Sequence, residues 1–186
     1  MIDTALNYLG NGSAITLLVL LTLSFYFIIC FWIFIYRLLA LKSSIFNESK
    51  SLEALTSRSS TLSPLSSLHK CAGGVHSKEI LNACEINIIK DASVGITWLS
   101  IIASTAPFVG LFGTVVGILE SFAKFSSETK VGFSVIAPAI SEALVATAGG
   151  IFVAIFAYTF HQILTRKVYE LNTYIKAQAE ILIAKG

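Results

Sequence analysis

The amino-acid sequence predicts an all-α membrane protein with three transmembrane helices and long helical extensions in the cytoplasm. Two observations carry this prediction. First, 55% of the 186 residues are hydrophobic and only 13% are charged, whereas about a quarter of the residues in a soluble domain are charged. Second, three apolar segments each exceed the ~20 residues that cross a bilayer, and they run from 14 to 36, from 92 to 119 and from 131 to 160. Each is predicted to be a helix, because a helix pairs its own backbone polar groups inside lipid.

The first element, residues 14–36, follows a short polar lead at residues 1–13. The apolar run is too long for a cleaved signal peptide, and Asp3 is acidic where such a peptide carries positive charge. We expect this helix to continue past Arg37 into the cytoplasm.

The region between the first two spans, residues 37–91, is predicted to be helical with one serine-rich loop. The stretch SRSSTLSPLSS at 57–67 predicts the loop, and the Gly73–Gly74 pair marks a second break. We expect the helix to resume near Lys78 and to run into the second span without interruption. A region of this size is too small to form a core by itself, so it is expected to pack as extensions of the transmembrane helices.

The second span, 92–119, is followed by a polar turn at 120–130 and by the third span at 131–160. Pro138 lies near the start of the third span, where a helix tolerates proline best. The chain then continues as a C-terminal helix over 161–186. One stripe of this helix is apolar, with Gln178 interrupting it: Phe160, Leu164, Val168, Leu171, Ile175 and Leu182. The stripe fits a tail on the membrane surface or a packing face, and its narrow width favours packing on other cytoplasmic helices.

The distribution of basic residues predicts the orientation. None precedes the first span, and only Lys124 and Lys130 lie between the second and third spans. The others lie between the first and second spans or after the third: Arg37, Lys42, Lys50, Arg58, Lys70, Lys78, Lys90, Arg166, Lys167, Lys176 and Lys185. The positive-inside rule therefore places the N-terminus outside and the C-terminus in the cytoplasm.

Small residues gather on one face of the second span and one face of the third. The second span carries Ala106, Gly110, Gly113, Thr114, Gly117 and Ser121, and the third carries Ala139, Ala143, Ala146, Thr147, Gly150, Ala154 and Ala157. Such faces let helix backbones approach closely in lipid. Packing of these two helices within one chain accounts for part of the pattern. The width of the two faces also favours a homo-oligomer.

A single carboxylate, Glu142, is the only charged residue between Lys130 and Arg166. A charge at bilayer depth costs a few kcal/mol or more, so such residues usually face a bundle interior or a water path. Glu142 is therefore a candidate for proton transfer. Thr114 and Thr147 are the polar residues that could border the same path, although a threonine hydroxyl often bonds only to its own helix. Thr147 lies about 140° round the helix from Glu142.

Other chemistry has weaker support. Ser121 and Lys124 match the S-x-x-K pattern of serine enzymes without its companion motifs. Four possible metal ligands lie between the first two spans: His69, Cys71, His76 and Cys84. Their spacing matches no standard zinc site, so no metal is expected. The sequence has no phosphate-binding G-x-x-x-x-G-K-[ST] motif, and its net charge of +2 argues against nucleic acid as a partner. No cofactor is expected. Of the three cysteines, Cys30 lies in a span, and Cys71 and Cys84 are expected to be free thiols in the cytoplasm.

The second and third spans resemble a known family in detail. The stretches TAPFVGLFGTVVGILESF at 105–122 and APAISEALVATAGG at 137–150 are similar to the TolQ/ExbB branch of the MotA/TolQ/ExbB proton-channel family. FWIFIYR at 31–37 matches more loosely, and the serine-rich loop hardly matches. The short periplasmic lead and short cytoplasmic loop differ from larger members, and the short lead leans slightly toward TolQ.

The resemblance implies a function. It implies a ring of five subunits around a dimer of a single-span partner, TolR-like or ExbD-like, with proton flow through Glu142, Thr114 and Thr147 driving motion. That motion would reach the outer membrane through a TolA-like or TonB-like protein, serving Tol-Pal envelope maintenance and cell division or TonB-dependent import. The rival hypothesis is a passive membrane scaffold in which Glu142 is a protonated hydrogen-bond donor between helices. A membrane enzyme would rest on Ser121 and Lys124 alone.

Overall fold

The computed structural model describes residues 14–57, 66–73, 77–127 and 133–185. All regular structure within these ranges is α-helical. The five helices, in chain order, are α1 (Ala14–Thr56), α2 (Ser67–Ala72), α3 (Lys78–Ser93), α4 (Ile96–Ser127) and α5 (Phe133–Lys185).

Three of these helices are long and apolar enough to cross a membrane. The apolar windows lie within Ile15–Thr56, Ile96–Ala123 and Ile140–Ala184, and their mean hydropathies are 2.6, 1.9 and 2.0. The prediction of an all-α protein with three membrane-crossing helices is therefore confirmed. The first helix continues well past Arg37, as expected from the sequence.

The chain divides into two compact units, and the first contains residues 1–32 and 98–159. Its described part consists of the start of α1, nearly all of α4 and the first half of α5. Large apolar side chains cover its outer surface, and Trp32 is 76% exposed and Phe108 70% exposed. Exposed side chains of this size are suited to contact with lipid or with neighbouring helices. On the inside, α1 meets α5 through aromatic rings, with Phe27 edge-on to Phe156 at 5.6 Å between centroids.

The second unit contains residues 33–97 and 160–186. It has a core of buried leucines from α1, α2, α3 and α5: Leu41, Leu55, Leu68, Leu81, Leu164 and Leu171. The stripe on the C-terminal helix is buried along its whole length here, from Phe160 to Leu182. The prediction that this stripe is a packing face is confirmed, and its partners lie within the same chain.

Among the buried leucines of this core lies a cluster of buried polar side chains. Glu48, Ser66 and Gln178 are each 0% exposed. The Glu48 carboxylate accepts hydrogen bonds from Ser66 Oγ at 2.8 Å, from Gln178 Nε2 at 3.0 Å and from the backbone N–H of Ser67 at 2.6 Å. Gln178, which interrupts the apolar stripe in the sequence, is therefore a core residue with satisfied donors.

The expected continuous helix from Lys78 into the second span is wrong. The chain turns at Val94 and Gly95, between the end of α3 and the start of α4. Gly95 has a φ of +87°, a conformation that glycine adopts without the steric cost of a Cβ. The guanidinium of Arg37 lies against this turn and donates from Nη1 to the carbonyl of Asp91 at 3.3 Å.

Two other boundaries differ from the sequence-based assignment. Helix α4 continues to Ser127, so residues 120–127 are helical rather than part of a turn, and residues 128–132 lie outside the described ranges. At the other break, Gly73 ends α2 with a φ of +56° and donates its N–H to the carbonyl of His69. Ser66 caps the start of α2, so Ser67 is already helical, while residues 58–65 of the predicted loop lie outside the described part.

The structure also differs from the expectation of free thiols at Cys71 and Cys84, because it shows the two sulfurs bonded. The two residues form a disulfide between α2 and α3, with their Cα atoms 5.8 Å apart. The fold brings α2 beside α3, and this placement brings the sulfurs together although the two cysteines lie 13 positions apart in the sequence. Cys30 is a free, buried cysteine.

Candidate functional site

The site is built on a close crossing of α4 and α5 in the first unit. At this crossing Gly110 faces Gly150. A Cβ on Gly110 would lie 2.7 Å from the carbonyl oxygen of Ala146, and a Cβ on Gly150 would lie 2.6 Å from that of Ala106. Both distances are shorter than real Cβ contacts, and the obstructing atoms belong to backbone. Glycine at both positions therefore lets the two helix backbones touch.

The other small residues extend this contact and bring in α1. A Cβ on Gly113 would lie 2.9 Å from Val19 of α1 and 3.0 Å from Ala146, and one on Gly117 would lie 3.1 Å from Ala143. The small faces are thus occupied by packing within one chain. The side chain of Ala139, which was predicted to share this role, lies outside the described part of the structure.

The close approach of α4 and α5 brings Thr114 and Thr147 together. Their hydroxyl oxygens are in direct hydrogen-bond contact. Thr114 is 8% exposed, and its Oγ1 donates to the carbonyl of Ala143 at 2.9 Å. Thr147 Oγ1 lies 3.3 Å from the carbonyl of Gly110. Both hydroxyls therefore bond across the helix pair, and Thr114 Oγ1 also lies 3.3 Å from the carbonyl of Gly110 on its own helix.

The proton count of this pair limits how it can be arranged. Each hydroxyl carries one proton and two lone pairs, so Thr114 cannot donate to the carbonyl of Ala143 and to Thr147 at the same time. When Thr114 donates to Ala143, Thr147 donates to Thr114. In the reverse arrangement, Thr114 donates to Thr147, and Thr147 donates to Gly110. The pair can therefore switch its donor order without moving a heavy atom.

Glu142 lies on α5 next to Ala143, whose carbonyl Thr114 engages. Its side chain is half-buried. Among the residues that the structure describes, no hydrogen-bond or ion-pair partner contacts the Glu142 carboxylate. A carboxylate at this depth needs a proton, water or a partner from another chain to offset its desolvation.

Helical geometry places Glu142 on the edge of α5 that faces α1. Gly149 and Phe156 follow it at intervals of seven, which drift only ~20° per step round the helix. A Cβ on Gly149 would lie 3.6 Å from Leu23 of α1, and Phe156 packs on Phe27 of the same helix. Thr147 lies instead on the edge that meets α4. The crossing thus brings the two threonines together and leaves Glu142 on a different edge of α5.

One polar residue near this site was missed by the sequence analysis. Thr16, in the first turn of α1, is 2% exposed, and its Oγ1 lies 3.5 Å from the position that a Cβ on Gly117 would occupy. It therefore borders the same junction of three helices. Its only signal in the sequence is a hydroxyl within a mainly apolar run that also contains Thr22 and Ser24, so nothing distinguishes Thr16 from these two residues.

The other candidate residues are not brought into a shared site. The Ser121 hydroxyl donates to the carbonyl of Gly117 at 2.7 Å, one turn back on its own helix, and the Lys124 side chain lies outside the described part. Both sulfurs of Cys71 and Cys84 are engaged with each other, and His76 is not among the described residues. Within the described ranges, no group of three or more ligating side chains is placed to hold a metal ion.

The fold and this junction define a helical protein with three candidate membrane spans and, in the last of them, a carboxylate without a partner among the described residues. Comparison with known proteins gives the family. The chain belongs to the MotA/TolQ/ExbB proton channel family, whose sequence model matches residues 52–177. This match covers the candidate residues on α4 and α5, and the family resemblance of the two motif stretches is confirmed. The family consists of channel and transport proteins.

The chain is similar over its full length to a Helicobacter pylori protein. That protein, from strain 26695, carries the name biopolymer transport protein ExbB-like 1, and the two are 40% identical over 188 residues that cover 100% of each. Its counterpart from strain J99 is 39% identical over the same share of both chains. The biopolymer transport protein ExbB of Pseudomonas putida is 40% identical over 95 residues, which are 50% of this chain and 29% of that protein.

Proposed function

We propose that this protein is the ring-forming subunit of an inner-membrane motor driven by the proton-motive force. In this proposal Glu142 takes up and releases protons, and Thr114 and Thr147 border the hydrated path beside it. The observation that carries the proposal is the half-buried Glu142 carboxylate, which has no partner among the described residues of its own chain. Such a group is stable in a membrane when protonated or when water or another chain contacts it.

The geometry of the threonine pair supports the second part of the proposal. A path for protons needs groups that both donate and accept hydrogen bonds, and hydroxyls meet this need. The Thr114–Thr147 contact provides two of them in series at the α4–α5 crossing. Because Glu142 lies on a different edge of α5, the proposal requires water to link its carboxyl to the hydroxyl pair.

The partners follow from the family. We infer a ring of five copies around the paired spans of an ExbD-like or TolR-like protein, whose intramembrane aspartate would face Glu142. The small-residue faces are occupied within the chain, so the contacts between copies would use the exposed apolar surfaces of the first unit. The basic residues of the second unit favour a cytoplasmic position for it in this proposal. Each proton that crosses ~100 mV releases about 2.3 kcal/mol for motion.

The process that this motor serves is proposed from its relatives. The full-length Helicobacter pylori relatives and the shorter matches in other bacteria carry ExbB names. We therefore place this protein with ExbB-type subunits, acting through a TonB-like protein in import across the outer membrane. The slight leaning toward TolQ rested on the short N-terminal lead, which is a weaker argument than full-length similarity. Tol-Pal function is the competing outcome of the test.

The test is rescue of two null strains, one lacking siderophore uptake and one lacking Tol function. Each strain receives the partner genes of the source organism with the wild type, Glu142→Gln, Glu142→Asp or the control Glu53→Gln, which removes an exposed carboxylate outside the spans. Wild type and Glu53→Gln are expected to restore siderophore uptake. Glu142→Gln is expected to reach the membrane, to assemble to the same size and to fail, because an amide does not titrate.

The outcomes separate the competing functions. Rescue of detergent resistance instead of siderophore uptake would assign the protein to the Tol system. A Glu142→Gln protein that works as well as the wild type would remove the proton role of this residue. If Glu142→Gln lowers the amount of protein in the membrane and the yield of complex as much as it lowers activity, the result would support the passive scaffold. In that hypothesis Glu142 is a structural hydrogen-bond donor.

A further inference from the structure

The disulfide between Cys71 and Cys84 lies in a unit whose charge pattern places it in the cytoplasm. It joins α2 to α3, with a Cα separation of 5.8 Å, which is within the range that a disulfide bridges without moving the backbone. Its two ends differ in exposure. Cys71 is exposed, whereas Cys84 is 4% exposed and forms part of the core.

Disulfides do not usually persist in the cytoplasm. Cellular thiols keep cysteines reduced there, and the disulfides that do form in mesophiles are usually transient ones with catalytic or redox-sensing roles. A cysteine pair that the fold holds at bonding distance in this compartment can therefore be expected in both states. Its position between two helices means that the two states differ in how those helices are joined.

We propose that Cys71 and Cys84 form a redox-modification site that is reduced by a cellular thiol and re-formed by oxidation. The reductant is a small thiol of the glutathione class or a dithiol oxidoreductase. The site differs from the Glu142 path, and the inference rests on the proposed orientation of the second unit.

The exposure of the two sulfurs sets the order of the exchange. A thiolate of the reductant attacks the exposed sulfur of Cys71, and a mixed disulfide forms there while the Cys71–Cys84 bond breaks. Cys84 leaves as a thiolate and takes up one proton. A second thiol of the reductant then loses its proton and attacks the reductant's sulfur in the mixed disulfide. Cys71 leaves as a thiolate and takes up a proton. The two reductant sulfurs are left joined as a disulfide. The reverse reaction consumes an oxidised dithiol and returns the protein disulfide.

The consequence of reduction follows from what holds α2 and α3. The start of α2 is anchored to α1 and α5, because Ser66 and Ser67 bond to Glu48 and Ser66 also lies within reach of Gln178. The end of α3 is held by the bond from Arg37 to Asp91. The disulfide is a second covalent link between α2 and α3, in addition to the backbone that joins the end of α2 to the start of α3. After its reduction only the backbone and side-chain packing hold α2 beside α3, so we expect backbone amides in residues 66–73 and 77–93 to open more often.

The first test measures the thiol state in living cells. A Cys30→Ser chain is expressed in its native host with its partners, so that only Cys71 and Cys84 react. Cells are quenched in acid, and the free thiols are tagged with a polymer maleimide that shifts the protein on a gel. We expect the reduced form during growth, the oxidised form after a pulse of diamide, and return to the reduced form after washing. The ratio of the two forms is expected to change more than tenfold, which corresponds to ~30 mV for a two-electron couple.

Three results would overturn the inference. A pair that stays oxidised throughout growth and through treatment with a permeant reductant is a structural disulfide. A pair that never oxidises under diamide is a pair of ordinary thiols. Labelling of Cys71 in intact, reductant-treated cells by a maleimide that cannot cross the inner membrane would place the site outside the cytoplasm and also reject the inference.

The second test measures the structural consequence and separates it from motor function. Hydrogen exchange of the purified complex is compared with and without a dithiol, and exchange in residues 66–73 and 77–93 is expected to rise on reduction. The Cys71→Ser, Cys84→Ser double variant is expected to exchange at the reduced rate under both conditions. An unchanged exchange rate would reject the role of the bond in joining the helices. Glu142→Gln is expected to keep the full thiol shift, so failure of the motor proposal and failure of this inference give different results.

Discussion

Gly110 of α4 and Gly150 of α5 meet at a helix crossing where neither residue can carry a Cβ. The position of a Cβ on Gly150 is 3.0 Å from the Cα of Gly110 and 2.6 Å from the carbonyl oxygen of Ala106. Because the obstructing atoms are backbone, a larger residue cannot be accommodated by a change of rotamer. This crossing sets the distance between the helices that carry Thr114 and Thr147.

The first prediction concerns this crossing. Gly110→Ala and Gly150→Ala are expected to destabilise the protein by about 1–3 kcal/mol, the usual cost of forcing an extra methyl group into a packed contact. The helices would separate slightly, and the contact between the threonine hydroxyls would lengthen. Thermal unfolding of the purified protein in detergent measures the change.

Gly149→Ala is the matched control for this prediction. A Cβ at this position would meet only the Leu23 side chain at 3.6 Å, an ordinary van der Waals distance. Alanine is also the better helix former by roughly 0.5–1 kcal/mol. Gly149→Ala is expected to leave the midpoint unchanged or raise it. Equal losses for Gly149→Ala and Gly110→Ala would show that the backbone contact is not the cause.

The second prediction concerns the threonine pair. Thr114→Val removes the hydroxyl that bonds to the carbonyl of Ala143 and contacts Thr147, with little change in side-chain volume. We expect a loss of about 1 kcal/mol in stability and a loss of siderophore rescue that is larger than this stability change explains. Thr114→Ser keeps the hydroxyl and is expected to retain activity.

Thr159→Val serves as the control for a hydroxyl that bonds only to its own helix. Thr159 donates to the carbonyl of Ile155 at 2.8 Å and is exposed. Its replacement is expected to leave both stability and rescue within error of the wild type. If Thr114→Val also rescues normally at normal protein levels, the hydroxyl pair does not border the proton path.

The third prediction concerns the buried pair Glu48 and Gln178 in the second unit. Glu48→Ala would remove the carboxylate that accepts from the fully buried Ser66 and from the part-buried N–H of Ser67. Gln178 Nε2 would lose this acceptor as well and would keep only the backbone carbonyl of residue 48. Each donor left unsatisfied costs about 1–3 kcal/mol, so we expect a severe loss of stability. Gln178→Ala removes one donor and is expected to cost less.

A double-mutant cycle isolates the interaction between these two side chains. Unfolding of Glu48→Ala, Gln178→Ala and the double variant is expected to give a coupling energy between about 0.5 and 3 kcal/mol, as for residues in one hydrogen-bond network. Glu53→Ala, at an exposed position on the same helix, is expected to change stability by no more than ~0.5 kcal/mol. A coupling energy near zero would mean that the two side chains contribute independently.

Several features of the fold could be predicted from residues that act locally. The long apolar runs predicted the membrane-crossing helices, because passage into lipid depends on the composition of a segment and not on its neighbours. The spacing of Leu164, Leu171 and Leu182 predicted the buried face of the C-terminal helix. Gly73 was predicted to break the chain, and it does so in the left-handed conformation that glycine favours.

Other features could not be predicted, because they depend on how the helices meet. The turn at Gly95 was missed, since a single glycine between two helical patterns is tolerated in many helices. The disulfide of Cys71 with Cys84 was missed, because the turn after α2 decides which cysteines become neighbours. Gln178 was interpreted as an interruption of an apolar stripe, and its acceptor lies 130 residues away at Glu48.

The sequence by itself determined that this is a helical membrane protein, that small residues form one face of each of two spans, and that a lone carboxylate lies in the last span. These properties follow from composition and from the 3.6-residue period of a single helix. Only the tertiary structure decided that Gly110 meets Gly150, that Thr114 bonds to Thr147, and that Glu142 lies on the edge of α5 that faces α1. Those relations depend on the register between helices, and register is set by the packing of all their faces at once.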